Sequence, residues 1–425
     1  MARAMKDSGI EWIGEIPEGW LVGRIGQLYT ERREKVSDTE YQPLSVTMRG
    51  VLPQLSTAAK TDAHDDRKLV RIGDFAINSR SDRRGSCGIS PYEGSVSLIN
   101  TILMPRNEMH PVYYNWLFHS TMFSDEFYKW GHGIVNDLWT TNWQDMKRIA
   151  VPMPPFEEQS RIADYLDSEC SRIDTVIEQT RASIEEYKKL KQSVITQAVT
   201  KGIRPGRKMK DSGVEWIGEI PEEWHIDKIA KAASFHNGDR SSNYPSGDDI
   251  VDEGILFVTS NNLGNIILNT DISSNKFITQ EKYTAMRGAK LSINDIVFCL
   301  RGSVGKCSIN KTFSEGTIAS SLVVIRPEGI DPDFLNYALQ NPEITELALL
   351  EAIGIGSQNL AAAYIAGFKI PIPSEEDSES IVSYLKEKTL MIEKIIQKKV
   401  EVLNELESYK KSLIFEYVTG KKEVQ

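Results

Sequence analysis

An internal repeat constrains this chain of 425 residues more than any other feature. The segment Met5-Lys-Asp-Ser-Gly-Ile-Glu-Trp-Ile-Gly-Glu-Ile-Pro-Glu-Gly-Trp20 returns as Met209-Lys-Asp-Ser-Gly-Val-Glu-Trp-Ile-Gly-Glu-Ile-Pro-Glu-Glu-Trp224, and fourteen of the sixteen positions are identical. Self-similarity of this kind is the sequence signature of a duplicated architecture. The chain therefore divides into two equivalent halves, about 5–202 and 209–420, and each begins with this opening motif.

Weaker echoes follow the opening motif in the same order in both halves. Arg84-Gly-Ser-Cys-Gly88 parallels Arg301-Gly-Ser-Val-Gly305, and Gly131-His-Gly133 parallels Gly354-Ile-Gly356. Val151-Pro-Met-Pro154 parallels Ile370-Pro-Ile-Pro373 in front of a long helical pattern. The earlier part of each half holds short β-type runs separated by Gly, Asn, Asp and Pro, which predicts a mixed α+β domain.

The later part of each half carries a heptad-like seam, which predicts one long helix per half. The seam positions are Leu166, Cys170, Ile173, Ile177, Thr180, Ile184, Tyr187, Lys191, Val194 and Ala198, and then Leu385, Thr389, Ile392, Ile396, Lys399, Leu403, Leu406, Lys410, Leu413 and Tyr417. Both seams are polar at the same two steps, so we expect the helices to pack on each other. The alternative is that each helix packs only on its own domain. Gly202 and Gly420 are expected helix stops, and Ser374 with Asp377 resembles a capping box.

The predicted fold is α+β, with two similar globular domains separated by two long antiparallel helices. These helices would form a coiled-coil spacer and relate the domains by a pseudo-twofold axis. The predicted divisions are globular domains at 1–155 and 203–373 and spacer helices at 156–202 and 374–425.

The overall charge argues against a nucleic-acid partner, because 50 Lys and Arg face 60 Asp and Glu, a net charge of −10. Locally, however, Arg67, Lys68, Arg71, Arg80, Arg83 and Arg84 fall in a stretch that holds only Asp74 and Asp82 as acids. The N-terminal residues lack the apolar core of a signal peptide, and no apolar run is long enough to span a membrane, so a cytoplasmic location is expected.

No catalytic or metal site is predicted. Met153-Pro-Pro-Phe156 lacks the hydrogen-bonding first residue of an amino-methyltransferase motif, because Met cannot accept from the target amine. Gly302-Ser-Val-Gly-Lys306 lacks the spacing and the following Ser or Thr of a phosphate-binding loop. Glu186-Tyr-Lys188 lies in the helical seam without a preceding metal carboxylate. The four cysteines and six histidines form no CxxC or HExxH pattern.

Polar loops recur at equivalent positions of both halves while their side chains differ, which indicates two modules that read two different DNA sequences. Arginine pairs with guanine and amide side chains pair with adenine in the major groove. The alternative for each arginine is an ordinary solvated surface charge. The predicted DNA-binding residues are Asn78, Arg80, Arg83, Arg84 and Ser86 in the first half, and Asn261, Asn262, Arg301, Ser303, Lys306, Ser357 and Gln358 in the second.

These motifs together resemble one known family. The Trp-Ile-Gly-Glu-Ile-Pro-Glu-x-Trp opening, the Arg-Gly-Ser-x-Gly loop and the segment Pro152–Gln159 are similar to those of the specificity subunit of type I restriction–modification systems. Pro371-Ile-Pro-Ser-Glu-Glu-Asp377 departs from that pattern, because it lacks the second of the paired prolines and the Gln.

The resemblance implies that each globular domain is a target recognition domain for one half of a split site in double-stranded DNA. It implies that the helices set the gap between the half-sites. It also implies two methyltransferase subunits that bind S-adenosylmethionine, and restriction or motor subunits that bind ATP and Mg²⁺, with no cofactor on this non-catalytic chain. The alternatives are a self-contained DNA methyltransferase or nuclease, and a scaffold that binds peptides or glycans.

Overall fold

The computed structural model describes residues 3–54, 65–106, 108–133, 139–264, 266–269, 273, 275–354 and 360–424. The chain forms two compact units. The first unit is Met1–Ala182 with Val400–Gln425, and the second is Ser183–Lys399. Within the described ranges, none of the helices combines the length and apolarity needed to cross a membrane.

The strands of the first unit are β1 (Met5–Asp7), β2 (Glu15–Pro17), β3 (Leu21–Arg24), β4 (Tyr29–Glu31), β5 (Lys35–Val36), β6 (Leu44–Thr47), β7 (Gly50–Pro53), β8 (Arg67–Val70), β9 (Phe75–Asn78), β10 (Cys87–Ile89), β11 (Gly94–Ser97), β12 (Asn100–Pro105) and β13 (Ala150–Met153). The unit is built on a four-stranded antiparallel sheet in the order β10-β9-β12-β4, beside a three-stranded sheet in the order β11-β8-β5. Its helices are α1 (Ile25–Leu28), α2 (Pro111–His119), α3 (Thr121–Lys129), α4 (Trp143–Met146) and the first part of α5 (Phe156–Lys201).

The strands of the second unit are β14 (Met209–Asp211), β15 (Glu219–Pro221), β16 (His225–Lys228), β17 (Ala233–Asn237), β18 (Ile250–Val251), β19 (Ile255–Val258), β20 (Phe277–Ile278), β21 (Ile296–Cys299), β22 (Cys307–Ile309), β23 (Thr317–Ile318), β24 (Leu322–Pro327) and β25 (Lys369–Ile372). This unit repeats the plan of the first, because its sheet β22-β21-β24-β17 has the same order as β10-β9-β12-β4. Its helices are the last part of α5, α6 (Ile229–Ala232), α7 (Gln280–Ala285), α8 (Pro332–Leu339), α9 (Pro342–Gly354), α10 (Ala362–Gly367) and the first part of α11 (Glu375–Val418).

The opening motif folds as a short hairpin in both units. The Asp7 carboxylate accepts a hydrogen bond from the amide of Gly9 (2.9 Å), and Gly9 has φ +70°, a left-handed conformation that favours glycine. Asp211 and Gly213 make the same contact in the second unit. The tryptophans that end the two motifs, Trp20 and Trp224, are fully buried.

The helix segments within each unit run antiparallel and pack on each other. In the first unit Lys410 pairs with Asp174 (2.6 Å) and Arg181 pairs with Glu407 (2.7 Å). In the second unit Lys191 pairs with Glu393 (2.6 Å), and the Lys399 ammonium lies 5.6 Å from the centre of the Tyr187 ring. Lys191, Lys399 and Lys410 of the seam therefore contact the other helix of their own unit, whereas Thr180 donates to the carbonyl of Val176 in its own helix (2.7 Å).

The predicted apolar seam lies inside these pairs. Leu166, Ile173, Ile177, Ile184, Leu385 and Ile392 are buried, whereas Ile396 and Leu403 are half-buried. Ile173 and Ile177 share one core with side chains of both the globular part and α11, so the alternative of a helix that packs only on its own domain is wrong. The α+β fold with two similar globular domains and long antiparallel helices is confirmed. The four domain bounds and the pseudo-twofold axis stay predictions.

Candidate nucleic-acid interface

The first Arg-Gly-Ser loop (residues 78–88) joins the ends of β9 and β10. Asn78 is buried, and its side-chain oxygen accepts a hydrogen bond from the amide of Arg80 (3.0 Å). Ser86 is also buried, and its carbonyl accepts from the Asn78 amide (2.9 Å). The Asn78 side chain and the Ser86 main chain thus shape the loop, and the burial of both residues does not support the direct base contacts that the sequence suggested.

The arginines of this loop are placed differently from one another. Arg80 is half-buried, whereas Arg83 and Arg84 are exposed. The guanidinium of Arg84 pairs with Asp125 (3.1 Å) and lies 5.2 Å from the centre of the Tyr128 ring on α3. A carboxylate and an aromatic platform restrict an arginine before any ligand arrives, which lowers the entropy cost of binding.

A second segment lies directly beside this loop. The amide of Thr141 donates to the carbonyl of Ser79 (3.0 Å), and the amide of Ser81 donates to the carbonyl of Trp139 (3.0 Å). The Trp139 indole in turn donates to the carbonyl of Tyr128 (2.7 Å). The repeated Gly131-His-Gly133 motif is the sequence signal for this segment, but it does not predict the contact made by Trp139.

An open cavity of about 620 Å³ lies where these parts meet. It is lined by Ser81, Asp82, Arg84, Asp125, Tyr128, Lys129 and Trp139. Three of these residues belong to α3, whose contribution the sequence reasoning did not include. Nothing local in the sequence of α3 connects it with a loop forty residues earlier, so only the tertiary fold reveals the cavity.

The basic stretch 67–84 does not form one surface. Arg67 lies on β8 and is buried, and its guanidinium donates to the Ser95 hydroxyl (2.9 Å) and the Ser95 carbonyl (3.0 Å). Lys68 is half-buried and donates to the carbonyl of Asn100 (2.7 Å). Burial lowers the pKa of both side chains. The expectation that charge is concentrated in this stretch is corrected, because a strand turns part of it inward.

The second Arg-Gly-Ser loop (residues 300–306) occupies the equivalent place between β21 and β22. Arg301 and Lys306 are exposed, and Ser303 is half-buried. Gly302 and Gly305 have φ of +81° and +90°, and a Cβ at Gly305 would lie 2.4 Å from Thr345. Glycine at both positions therefore lets the loop turn tightly against α9.

The segment that begins at Leu360 lies beside this loop. The amide of Leu360 donates to the carbonyl of Leu300 (3.1 Å), which matches the bond from Thr141 to Ser79 in the first unit. Leu360 directly follows the segment that includes Ser357 and Gln358, and these two residues lie outside the described residues.

The Asn261–Gly264 turn approaches the second loop. Asn261 is exposed, whereas Asn262 is buried and accepts a hydrogen bond from the Thr259 amide (2.9 Å). Asn262 also donates to the side chain of Asn275 (2.8 Å), so it shapes the turn, and its burial does not support contact with a base. A Cβ at Gly264 would lie 4.0 Å from the Lys306 side chain.

A carboxylate at the start of each long helix ties that helix to the opening motif. Glu158 accepts from the Trp20 indole (2.7 Å) and from Arg3 (2.8 Å), and Asp377 accepts from the Trp224 indole (2.9 Å) and from Arg207 (2.7 Å). Burial opposes the charged form of Glu158 and Asp377, but these hydrogen bonds outweigh it and lower the pKa of both. The repeated tryptophans thus position the helices.

The four cysteines are free and buried. Among the residues that the structure describes, no three His, Cys, Asp or Glu side chains are grouped so that they could hold a metal ion.

Comparisons with known proteins bear on the whole chain. Residues 222–405 match the family described as the type I restriction modification DNA specificity domain. The MjaVIII specificity subunit of a type I restriction enzyme from Methanocaldococcus jannaschii is 24% identical over 423 residues, which cover 96% of this chain and 93% of that protein. The putative MjaX specificity subunit of the same organism is 25% identical over 442 residues, covering 96% and 95%. The resemblance to type I specificity subunits is confirmed.

A solved structure has a similar fold. A chain described under "complex assembly and conformational transition of the type I R-M system" superposes with a TM-score of 0.72 at 15% sequence identity. The alignment covers 96% of this chain and 99% of that chain. The repeated halves and the long helices thus belong to an architecture already seen in a type I system.

Proposed function

We propose that this chain is the DNA-recognition subunit of a type I restriction–modification system and that its two units read the two parts of a split site in double-stranded DNA. One observation carries the proposal: the same four-stranded sheet supports an exposed arginine-bearing loop at the same place in both units, with different side chains. Two units that share one sheet but carry different loop side chains are suited to bind two different base sequences. Exposed arginines are suited to bidentate contact with guanine.

The long helices serve as the spacer in this proposal. Each is shared between the two units, and ion pairs fix its register against the other helix within each unit. Helices held in one register would set one gap between the half-sites.

The chain acts without a cofactor of its own in this proposal and directs partner subunits to the site. Two methyltransferase subunits would bring S-adenosylmethionine, and restriction or motor subunits would bring ATP and Mg²⁺. Incubation of the isolated chain with DNA and either S-adenosylmethionine or Mg²⁺ is expected to give neither methylation nor cleavage. Activity of the isolated chain would support the self-contained methyltransferase or nuclease instead.

The decisive experiment separates the two half-sites. The chain is coexpressed with the methyltransferase subunit of its own system, and the methylated motif of the host DNA is sequenced. Arg84→Ala is expected to relax or weaken only one part of the motif, and Arg301→Ala only the other part. A lost bidentate contact costs about 1–3 kcal/mol of base discrimination, so relaxation by about fivefold or more at one position is expected.

Arg33→Ala and Arg172→Ala are the matched controls, because both side chains are exposed and lie outside the two loops. Both controls should leave the motif unchanged. If either loop variant changes both parts equally, or if neither changes any part, the proposed division of labour is wrong.

A further inference from the structure

An open groove of about 1310 Å³ runs between the helix pair and the globular part of the second unit. The helix wall of this groove carries Lys188, Lys189, Lys191 and Lys394. Residues 264, 266–269 and Thr312 contribute the facing wall. The groove is therefore strongly basic on one side.

The acids in the groove neutralise only part of this charge. Glu185 pairs with Lys188 (2.8 Å), and Glu393 pairs with Lys191 (2.6 Å). Lys189 and Lys394 are exposed and supply an excess of two positive charges in a chain whose net charge is −10. Such a local excess attracts a polyanion.

The groove is continuous with the second Arg-Gly-Ser loop. Gly264 lines the groove and lies beside Lys306 of the loop. A Cβ at position 264 would lie 4.0 Å from the Lys306 Cδ, so glycine leaves room beside the lysine side chain. A polyanion in contact with Lys306 can thus extend past Gly264 toward the helix lysines.

The first unit lacks this excess at the equivalent helix positions. The sequences of the two helices can be aligned so that Leu166 matches Leu385. In this alignment Lys191 matches Lys410, and Glu393 matches Asp174. The Lys191–Glu393 ion pair of the second unit is therefore equivalent to the Lys410–Asp174 ion pair of the first. In the same register Lys189 corresponds to Ser408 and Lys394 to Thr175. The two extra lysines are therefore not required by the helix packing that the units share.

We propose that the groove binds the sugar–phosphate backbone of double-stranded DNA next to the half-site that the second unit reads. This inference rests on the proposed function. Lysine is a flexible point charge that suits a phosphate, and contacts of this kind fix position on the duplex without reading sequence. Each phosphate that the groove neutralises adds about 0.9 to the slope of log affinity against log salt concentration.

The double variant K189S/K394T tests the inference, because it installs the residues that the first unit carries on the same scaffold. Binding of the full chain in complex with its methyltransferase subunits is measured by fluorescence anisotropy over a series of KCl concentrations, with a duplex that contains its site. The salt slope is expected to decrease by about 2, with weaker binding at physiological salt. The methylated motif is expected to stay unchanged.

K388S/K398T removes the same charge at two positions of α11 that do not line the groove, and it should leave the salt slope unchanged. An unchanged salt slope in K189S/K394T would overturn the inference. Loss of the complex with the methyltransferase subunits in size-exclusion chromatography would also overturn it, because the groove would then be a protein-binding surface. If the unmodified complex shows no preference for a split site, the proposed function itself fails. If that preference holds and the slope does not change, only the groove assignment fails.

Discussion

At the residue scale, two buried carboxylates connect the repeat to the helices. Glu158 and Asp377 stand at equivalent positions near the starts of α5 and α11, and each accepts hydrogen bonds from a tryptophan of the opening motif and from an arginine. The identity of the two sequence motifs thus has a structural cause. Each motif must present an indole N–H to a helix-borne carboxylate in its own unit.

Glu158→Gln is expected to destabilise the first unit by about 3 kcal/mol, because it leaves the Arg3 charge without its partner. The folded-state pKa of Glu158 is lowered below its usual 4.5, so its charge stabilises the fold above pH 4.5. That stabilisation is lost as the pH falls through the lower folded-state value. Urea unfolding of both proteins at several pH values measures the difference.

The difference in the free energy of unfolding between the unmodified protein and Glu158→Gln should be largest near pH 7 and should decrease below pH 4.5. Glu169→Gln is the control, because Glu169 pairs with Arg172 at the surface and such pairs contribute only about 0–1 kcal/mol. A gap that is the same at every pH would contradict the role assigned to the Glu158 charge.

Residue type alone did not show which of the predicted DNA-binding side chains are exposed and which are buried. Arg83, Arg84 and Arg301 are exposed. Asn78 and Asn262 have the side chains of base readers, yet the backbone amides near them capture those groups. Such capture depends on loop geometry, which one sequence does not supply.

At the element scale, the helix ends illustrate what local patterns can predict. Helix α5 ends at Lys201 and α11 at Val418, and Gly202 and Gly420 follow with φ of +73° and +72°. A glycine after a helical pattern indicates a left-handed stop, and here it does so in both copies.

The start of α11 shows the limit of such patterns. The Ser374 hydroxyl accepts a hydrogen bond from the Asp377 amide (3.3 Å), as in a capping box. The Asp377 carboxylate, however, binds Trp224 and Arg207, which lie far away in sequence. The local pattern therefore predicted half of the motif.

Gly420→Ala is expected to destabilise the first unit more than backbone strain alone requires. A Cβ at Gly420 would lie 2.5 Å from Pro17 and 2.9 Å from Trp20, in addition to the cost of about 1–2 kcal/mol for a left-handed alanine. Gly206→Ala is the matched control, because φ is +74° there and a Cβ would meet nothing within 4 Å. Thermal unfolding of both variants should show the larger loss for Gly420→Ala, and equal losses would refute the close packing described for this helix end.

At the scale of the whole molecule, each unit is completed by a helix from the other half of the sequence. The first unit contains residues from Val400 onward, so its seam residues Ile173 and Ile177 are buried together with Leu413 of α11. The sequence predicted the pairing because both seams share one register. It did not predict that each helix divides between the units, because that division depends on tertiary contacts.

A fragment of residues 1–208 is expected to form a homodimer. It would expose the apolar seam of α5, and the α5 of a second copy carries the equivalent seam. Gly202, which follows α5, lies close to Trp224, just as Gly420 after α11 lies close to Trp20. In the fragment dimer, the end of α5 from one copy can therefore take the place of the end of α11 beside Trp20 of the other copy. Size-exclusion chromatography with light scattering measures the mass.

The double variant Ile173→Asp with Ile177→Asp is the control for this fragment, and it should be monomeric. A monomeric, folded fragment with an unchanged seam would show that the helix pairing is not needed to complete the unit.

The contacts around Lys421 also determine how the molecule transmits force. The Lys421 ammonium donates to the carbonyls of Ile13 (2.8 Å) and Glu15 (3.4 Å), and the Tyr113 hydroxyl donates to the carbonyl of Val418 (2.7 Å). The residues that follow α11 are thus fastened to the opening motif near residue 13, and Val418, the last residue of α11, is fastened to α2. A load applied between handles at the two ends of the chain would act on these few bonds and on the Arg3–Glu158 pair, and would peel α11 away before it reached the four-stranded sheet.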